Sequence, residues 1–343
     1  MSLDAVPKIL IIRRDNIGDL VCTTPLIEAL RRRFPNAWLG ALVNSYNAPV
    51  LDGNPDLDEV FTYTKAKHRG ADQTLPAILW QRLMMMRRLR EMQVDDVVIA
   101  TTSPQPRVVK LAQWLKPKRI IGYGAVKGLD LALPLDEAGR HEVEDVFRVA
   151  SIYGIEGPPP PCRVFAPDAL APTTATASAA CRTIGIHISA RKPSQRWPAD
   201  RFAETIKSIV AQGPVRFMLL WSPGAEDNPL HPGDDAKARK VTELVGGAAT
   251  VIAKPTQTLS ELIAALSECQ ALVCADGGAM HLAAGLGLPV VCLFGNSGAS
   301  RWRPWGVPYR LLQKPSLDVK DIATIEVLAA VNALLADTPA PSA

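Results

Sequence analysis

Three places in this chain carry residue types and spacings suited to chemistry. The first is Asp19, which ends the loop Arg14-Asp-Asn-Ile-Gly-Asp19 after the apolar run Lys8–Arg13. A carboxylate between a strand and a helix has two readings. It caps the helix, taking up free N–H groups, or it stands at the edge where open α/β sheets hold ligands and accepts a proton from a substrate hydroxyl. The second place is Ala275-Asp276-Gly277-Gly278, followed by His281. Glycines let the backbone approach a ligand, and the free N–H groups of a helix start suit a phosphate or diphosphate. The alternative is a tight strand–helix turn with His281 partly buried. The third is the segment His187–Pro198, where Ser189, Arg191, Lys192, Gln195 and Arg196 precede Trp197. Its basic residues can neutralise phosphate oxygens, arginine bidentately; the alternative is a solvated loop.

Other chemistries lack their signatures. The first loop holds a single glycine where a dinucleotide fingerprint needs G-x-G-x-x-G, and no P-loop, H-E-x-x-H or G-x-S-x-G occurs. The five histidines are too scattered to suggest a metal cluster, so no metal ligands are assigned. The six cysteines form no C-x-x-C pair and several sit in apolar runs, which argues against a zinc site or a disulfide framework. No secretory pattern opens the sequence. The long apolar stretch Ala271–Gly295 is broken by Asp276, His281 and glycines, so it does not read as a membrane span. These features predict a reduced, cytoplasmic protein.

The elements that must position the three clusters follow from patterning. The chain has 343 residues, 48% hydrophobic and 21% charged, enough for two globular domains. Short apolar runs alternate with helical patterns, which predicts an open, doubly wound α/β sheet. The first helix is expected from about Leu20 to Phe34. A second, Pro76–Met92, has apolar residues at Ile78, Leu79, Leu83, Met86 and Leu89 as its core stripe. Alternation stops in a Pro/Ala/Thr-rich stretch and then resumes. The expected organisation is therefore residues 1–160, a linker at 161–181, a second domain at 182–320, and a final helix and tail at 321–343. Two such halves leave a cleft between them for a ligand. Net charge is +4, but between Phe61 and Gly128 thirteen basic residues stand against four acidic ones. Such a local excess reads either as a site for an anionic partner or as a solvated arginine-rich helix face.

Taken together, the motifs resemble glycosyltransferase family 9, the ADP-heptose:lipopolysaccharide heptosyltransferases. The resemblance spans nearly the whole chain: Ile9 to Pro25 resembles the opening motif, Arg196-Trp197-Pro198 the mid-chain motif, and Asp276 to Gly295 the C-terminal signature. It implies a GT-B fold of two Rossmann-like domains facing across a cleft, the final helix often packing back on the first. It further implies an inverting, metal-independent transfer with no cofactor, from ADP-heptose to an anionic lipopolysaccharide inner-core precursor, by an enzyme in peripheral contact with the inner membrane and with no nucleic-acid partner. Asp19 is then the catalytic base. The donor contacts are Ser189, Arg191, Lys192, Gln195, Arg196, Glu226, Asp276, Gly277, Gly278 and His281. Acceptor contacts are expected from Arg14, Arg87, Arg88 and Arg90. Two positions depart from the family pattern: Gln195 replaces a phosphate-binding Lys, and Gly277 replaces Thr or Ser. Other readings of the same motifs are a sugar-nucleotide epimerase, a protein heptosyltransferase, or a non-catalytic nucleotide-sugar binder.

Overall fold

The computed structural model describes residues 6–63, 75–166, 182–228 and 232–338. Lys65, Lys67 and Arg69 of the basic segment, and residues 167–181 of the expected linker, lie outside the described residues. The chain divides into two compact units, Met1–Val164 and Phe165–Ala343.

In the first unit, β1 (Lys8–Ile12), α1 (Ile17–Val21), α2 (Thr24–Arg33), β2 (Trp38–Asn44) and β3 (Glu59–Tyr63) are followed by α3 (Leu75–Glu91), β4 (Asp96–Ile99), α4 (Pro106–Leu115), β5 (Arg119–Tyr123), β6 (Leu131–Leu133) and α5 (Glu142–Phe147). The six strands are parallel, in the order β3-β2-β1-β4-β5-β6. β1 is central, so Ile9–Ile12 are almost fully buried, which is why this run is apolar without alternation. The single helix expected at Leu20–Phe34 is broken in two. Pro25 has no N–H to continue the ladder, and the Thr24 hydroxyl donates to the Val21 carbonyl at the break (2.8 Å).

α3 forms as expected, but its buried stripe differs. Ile78 and Leu89 are buried and Met85 and Met86 pack on the core, whereas Leu79 and Leu83 point outward. Apolar residues occupy more than one face of this helix, so spacing alone could not say which face the sheet would take. The first unit also runs past residue 160. Cys162 and Val164 are buried, and the Arg163 backbone N–H donates to Thr24 Oγ1 (2.9 Å).

The second unit repeats the plan. β7 (Arg182–His187), α6 (Ala199–Val210), β8 (Val215–Trp221), α7 (Asp235–Val245), β9 (Thr250–Pro255) and α8 (Leu259–Ser267) precede β10 (Ala271–Ala275), α9 (Gly278–Gly285), β11 (Val290–Phe294), α10 (Ala299–Trp302), β12 (Tyr309–Gln313) and α11 (Thr324–Asp337). Its parallel sheet runs β12-β11-β10-β7-β8-β9, the same winding as the first. The elements α5, α10 and β12 were not anticipated. The resemblance implies a final helix that often packs back on the first domain; Val327, Ala330, Val331 and Leu334 of α11 belong to the second unit's own core. Trp197 is anchored in that core as well, edge-on to Phe202 and donating to the Ile322 carbonyl (3.1 Å).

Candidate functional site

In both units the winding reverses beside the first strand, between β1 and β4 and between β7 and β10. Loops at the carboxyl ends of such a pair diverge and leave a crevice, the usual ligand position in open α/β sheets. All three sequence clusters fall at these two points.

In the first unit, the loop after β1 is pinned from beneath. Asn44 and Asn47, both buried, donate their side-chain amides to the carbonyls of Arg14, Asp15 and Asn16. Asp19, on the first turn of α1, accepts at Oδ2 from the Asn16 backbone (3.0 Å) and side-chain amide (2.9 Å), and at Oδ1 from Arg13 Nη2 (2.7 Å). It therefore does cap its helix. It is also part of a buried charge cluster. The Arg13 guanidinium, 1% exposed, bonds Glu142 Oε1 (2.7 Å) and the Ala100 carbonyl and pairs with Asp15 (3.1 Å). Burial alone would raise the Asp19 pKa, but the Arg13 charge and the hydrogen bonds from Asn16 and Arg13 outweigh it and hold the carboxyl below its ordinary value.

Beside this cluster an open pocket of about 240 Å³ is lined by Ile12, Arg14, Asp15, Thr101, Gln105, Arg107 and Val108. Arg14, an expected acceptor contact, lies on the pocket and over the Tyr63 ring. Arg87, Arg88 and Arg90 do not line it. Arg87 pairs with Glu91 on the exposed face of α3, Arg88 pairs with Glu59 (2.8 Å), and Arg90 stacks on Trp114. Arg13, Thr101, Gln105, Arg107 and Glu142 were missed. The available signal for Arg13 was a cation directly after a buried strand; for Glu142, 129 residues away, there was none.

In the second unit, pairing of His187 with Cys274 brings the loop after β7 against the turn after β10. Gln195 closes the two: its buried side chain donates to Asp276 Oδ2 (2.7 Å) and Ser297 Oγ (2.8 Å). Close approach of the loop depends on Gly295, where a Cβ would collide with the Ser194 carbonyl. Gly277 and Gly278 open α9 with free N–H groups, and Gly277 is exposed. His281 is buried one turn on, edge-on to Trp302. Arg191 and Lys192 are exposed on the same loop, and Ser189 Oγ accepts from the Ser222 amide (2.9 Å).

The Arg196 guanidinium donates to the Ala190 carbonyl (2.9 Å), Asp234 (2.6 Å) and Glu226 (2.9 Å), and so ties its loop to the segment before α7. Glu226, expected at a ribose, is the exposed half of that ion pair. A further cation was missed: Lys237 of α7 donates to the Ile188 carbonyl at the end of β7 (2.8 Å). Burial lowers its pKa to about 8, with Arg196 pushing the same way and Asp234 and Glu226 opposing. Among the described residues, no group of three or more His, Cys, Asp and Glu side chains is arranged to hold a metal ion.

Comparison with known proteins bears on these two sites. The model of a family described as Glycosyltransferase family 9 (heptosyltransferase) matches residues 82–321. Lipopolysaccharide heptosyltransferase 3 of Escherichia coli is 23% identical over 350 residues, covering 93% of this chain and 96% of the relative. A solved glycosyl transferase family 9 structure from Veillonella parvula superposes with a TM-score of 0.80 at 21% identity, covering 98% of this chain and 99% of that one. E. coli heptosyltransferase WaaC with ADP gives a TM-score of 0.78 at 16% identity over 96% and 100%. The two parallel sheets are thus the Rossmann-like pair of a GT-B fold.

Proposed function

The chain belongs to glycosyltransferase family 9 (heptosyltransferase), and on that premise we propose that it transfers a heptosyl group from ADP-heptose to a lipopolysaccharide inner-core precursor, with inversion and without a metal or cofactor. The observation that carries this reading is the Asp19 carboxylate, held ionised and oriented at the carboxyl end of β1 by Arg13 and Asn16.

In the reaction, the acceptor hydroxyl oxygen attacks the anomeric carbon from the face opposite the diphosphate. The C–O bond to the β-phosphate breaks, ADP leaves with the bonding pair, and the hydroxyl proton passes to Asp19. A carboxylate with a lowered pKa is a weak base. It accepts the proton late, when the attacking oxygen has become acidic against an oxocarbenium-like centre. The leaving diphosphate gathers negative charge at the α9 N-terminus, where the Gly278–Met280 N–H groups and the exposed Arg191 and Lys192 stabilise it in place of a metal. Asp276, steadied by Gln195, receives sugar hydroxyls; Glu226 and Ser189 stand at the ribose and phosphate, and His281 supports the turn from below. Arg14, with Arg107 on the same pocket, takes the anionic groups of the acceptor.

The test is Asp19→Asn, which keeps the shape and removes the base. Transfer should fall by about 10²–10⁴ with ADP affinity unchanged. Retained transfer refutes the assignment, and consumption of donor without any acceptor points to epimerase or hydrolase chemistry instead. A thermal-shift panel of ADP, UDP, GDP and CMP should single out ADP, since only a ligand of the native state raises the midpoint.

A further inference from the structure

Among the described residues, helix α3 presents an outer face of exposed apolar side chains. Leu79 and Trp80 are each 63% exposed, Leu83 54% and Met84 47%. These four residues occupy the i, i+1, i+4 and i+5 positions of one strip, opposite the buried Ile78 and the buried Leu89 that packs into the first unit's core. A single exposed leucine needs no explanation, but a contiguous strip of three large aliphatic side chains and a tryptophan does.

The strip is bordered by positive charge. Along its 17 residues α3 carries Arg82, Arg87, Arg88 and Arg90 against one acid, Glu91. Arg87 extends the strip by one turn, its side chain 72% exposed. Arg88, 66% exposed, lies alongside. Arg90 lies over Trp114, itself 40% exposed, so a second indole adjoins the same surface. An indole combines an apolar body with a polar N–H and suits a boundary that is dry on one side and wet on the other. Arginines flanking such a strip match a negatively charged surface. A helix of this length is about 25 Å long and lies along a boundary; among the described residues no helix is long and apolar enough to cross a membrane.

We propose that the outer face of α3 is a membrane-docking surface whose partner is an anionic phospholipid bilayer, with Leu79, Trp80, Leu83 and Met84 entering the headgroup region and Arg87 meeting lipid phosphates. This does not depend on the transfer reaction, because docking is read with neither donor nor acceptor present.

The experiment uses the full chain and vesicles of phosphatidylethanolamine with 30% phosphatidylglycerol, compared with phosphatidylcholine alone. The parent should bind the anionic vesicles at least tenfold more tightly. Replacing Leu79, Trp80, Leu83 and Met84 together by Gln should weaken that binding at least tenfold and leave transfer to a water-soluble acceptor fragment unchanged. Arg87→Gln should weaken it about fivefold, the effect of one surface cation near an anionic leaflet, with little change on neutral vesicles. Should the fourfold variant not fold, brominated lipids decide: they should quench a component of the parent's fluorescence that is missing from Trp80→Phe. Parent-like vesicle binding by the fourfold variant, or no quenching difference at Trp80, overturns the proposal. So does a variant that turns a dimeric parent monomeric at unchanged vesicle affinity, because the strip is then an interface between two copies.

Discussion

Replacing Arg13 by Met removes the one cation that three acidic side chains share. The guanidinium is almost fully buried, 2.7 Å from Asp19 and from Glu142 and 3.1 Å from Asp15. Met fills much of the volume, so the loss is electrostatic and not a cavity. Breaking a buried pair from one side costs about 3–5 kcal/mol, because the partner charge stays buried without compensation. At roughly 2–4 °C per kcal/mol for a unit of this size, the first unit should melt about 10 °C lower at pH 7. The pH dependence carries the sharper test. In the parent, Asp19 has a lowered pKa, so its contribution is complete above the unfolded value near 4 and is lost as pH falls through the folded one. In Arg13→Met, burial of Asp19 is opposed by the two Asn16 hydrogen bonds alone, so its pKa rises towards the unfolded value. The variant then lacks much of the Asp19 contribution that the parent has at neutral pH, and both lack it in acid. The gap between parent and variant should be widest near pH 7 and narrow towards pH 4. Arg13→Lys keeps the charge but cannot reach Asp19, Glu142 and the Ala100 carbonyl together, and should lose about half as much. Denaturant or thermal melts from pH 4 to 8 measure all three. A loss below about 1 kcal/mol for Arg13→Met, or one that does not change with pH, refutes the view that this cluster is a coupled buried charge set.

Two glycines at the second site should behave oppositely. Gly277 caps α9 with φ 160°, an extended conformation any residue adopts, and a Cβ there meets open space. Gly277→Thr should therefore fold normally and gain a few tenths of a kcal/mol as an N-cap; a loss above about 1 kcal/mol contradicts this. Gly295→Ala drives a methyl into the Ser194 backbone, and should cost about 1–3 kcal/mol while weakening ADP binding through the displaced Gln195; unchanged melting and ADP affinity would count against the close approach. Gln195→Lys puts a cation beside Asp276 at the α9 N-terminus. It should tighten ADP binding by about 1 kcal/mol, roughly fivefold at low salt, with the gain shrinking as salt rises. Calorimetric titration showing equal or weaker binding refutes a diphosphate at this turn.

How much was legible depended on how far apart in the chain the cooperating residues lie. Asp19 after β1 and the Asp276–Gly278 turn before α9 could be read directly, since each is an apolar strand, a short loop and a helix start within about twenty residues. The basic loop Arg191–Arg196 was legible as charge, but the roles of its members were not. Arg196 is bound by Glu226 and Asp234, 30 and 38 residues away, while Arg191 and Lys192 stay exposed. Local composition cannot say which of three neighbouring cations will be neutralised by the fold. The same limit applied to α3, where apolar residues face both ways and only packing decided that Ile78 and Leu89 go inward.

The amino-acid order alone determined the alternation of strands and helices, the repetition of an α/β unit, and the loops where ligands belong, because these rest on periodicity and on glycine or acidic residues within one or two turns. Tertiary structure decided what those loops contain. Parallel pairing of β1 with β4 sets Arg14 and Asp15 beside Thr101 and Arg107, packing of α5 brings Glu142 to Arg13, and pairing of β7 with β10 lets Gln195 grip Asp276. These contacts join segments tens of residues or more apart, and the interaction that fixes each partner exists only after the sheet has closed its register and excluded water from the charges it brings together.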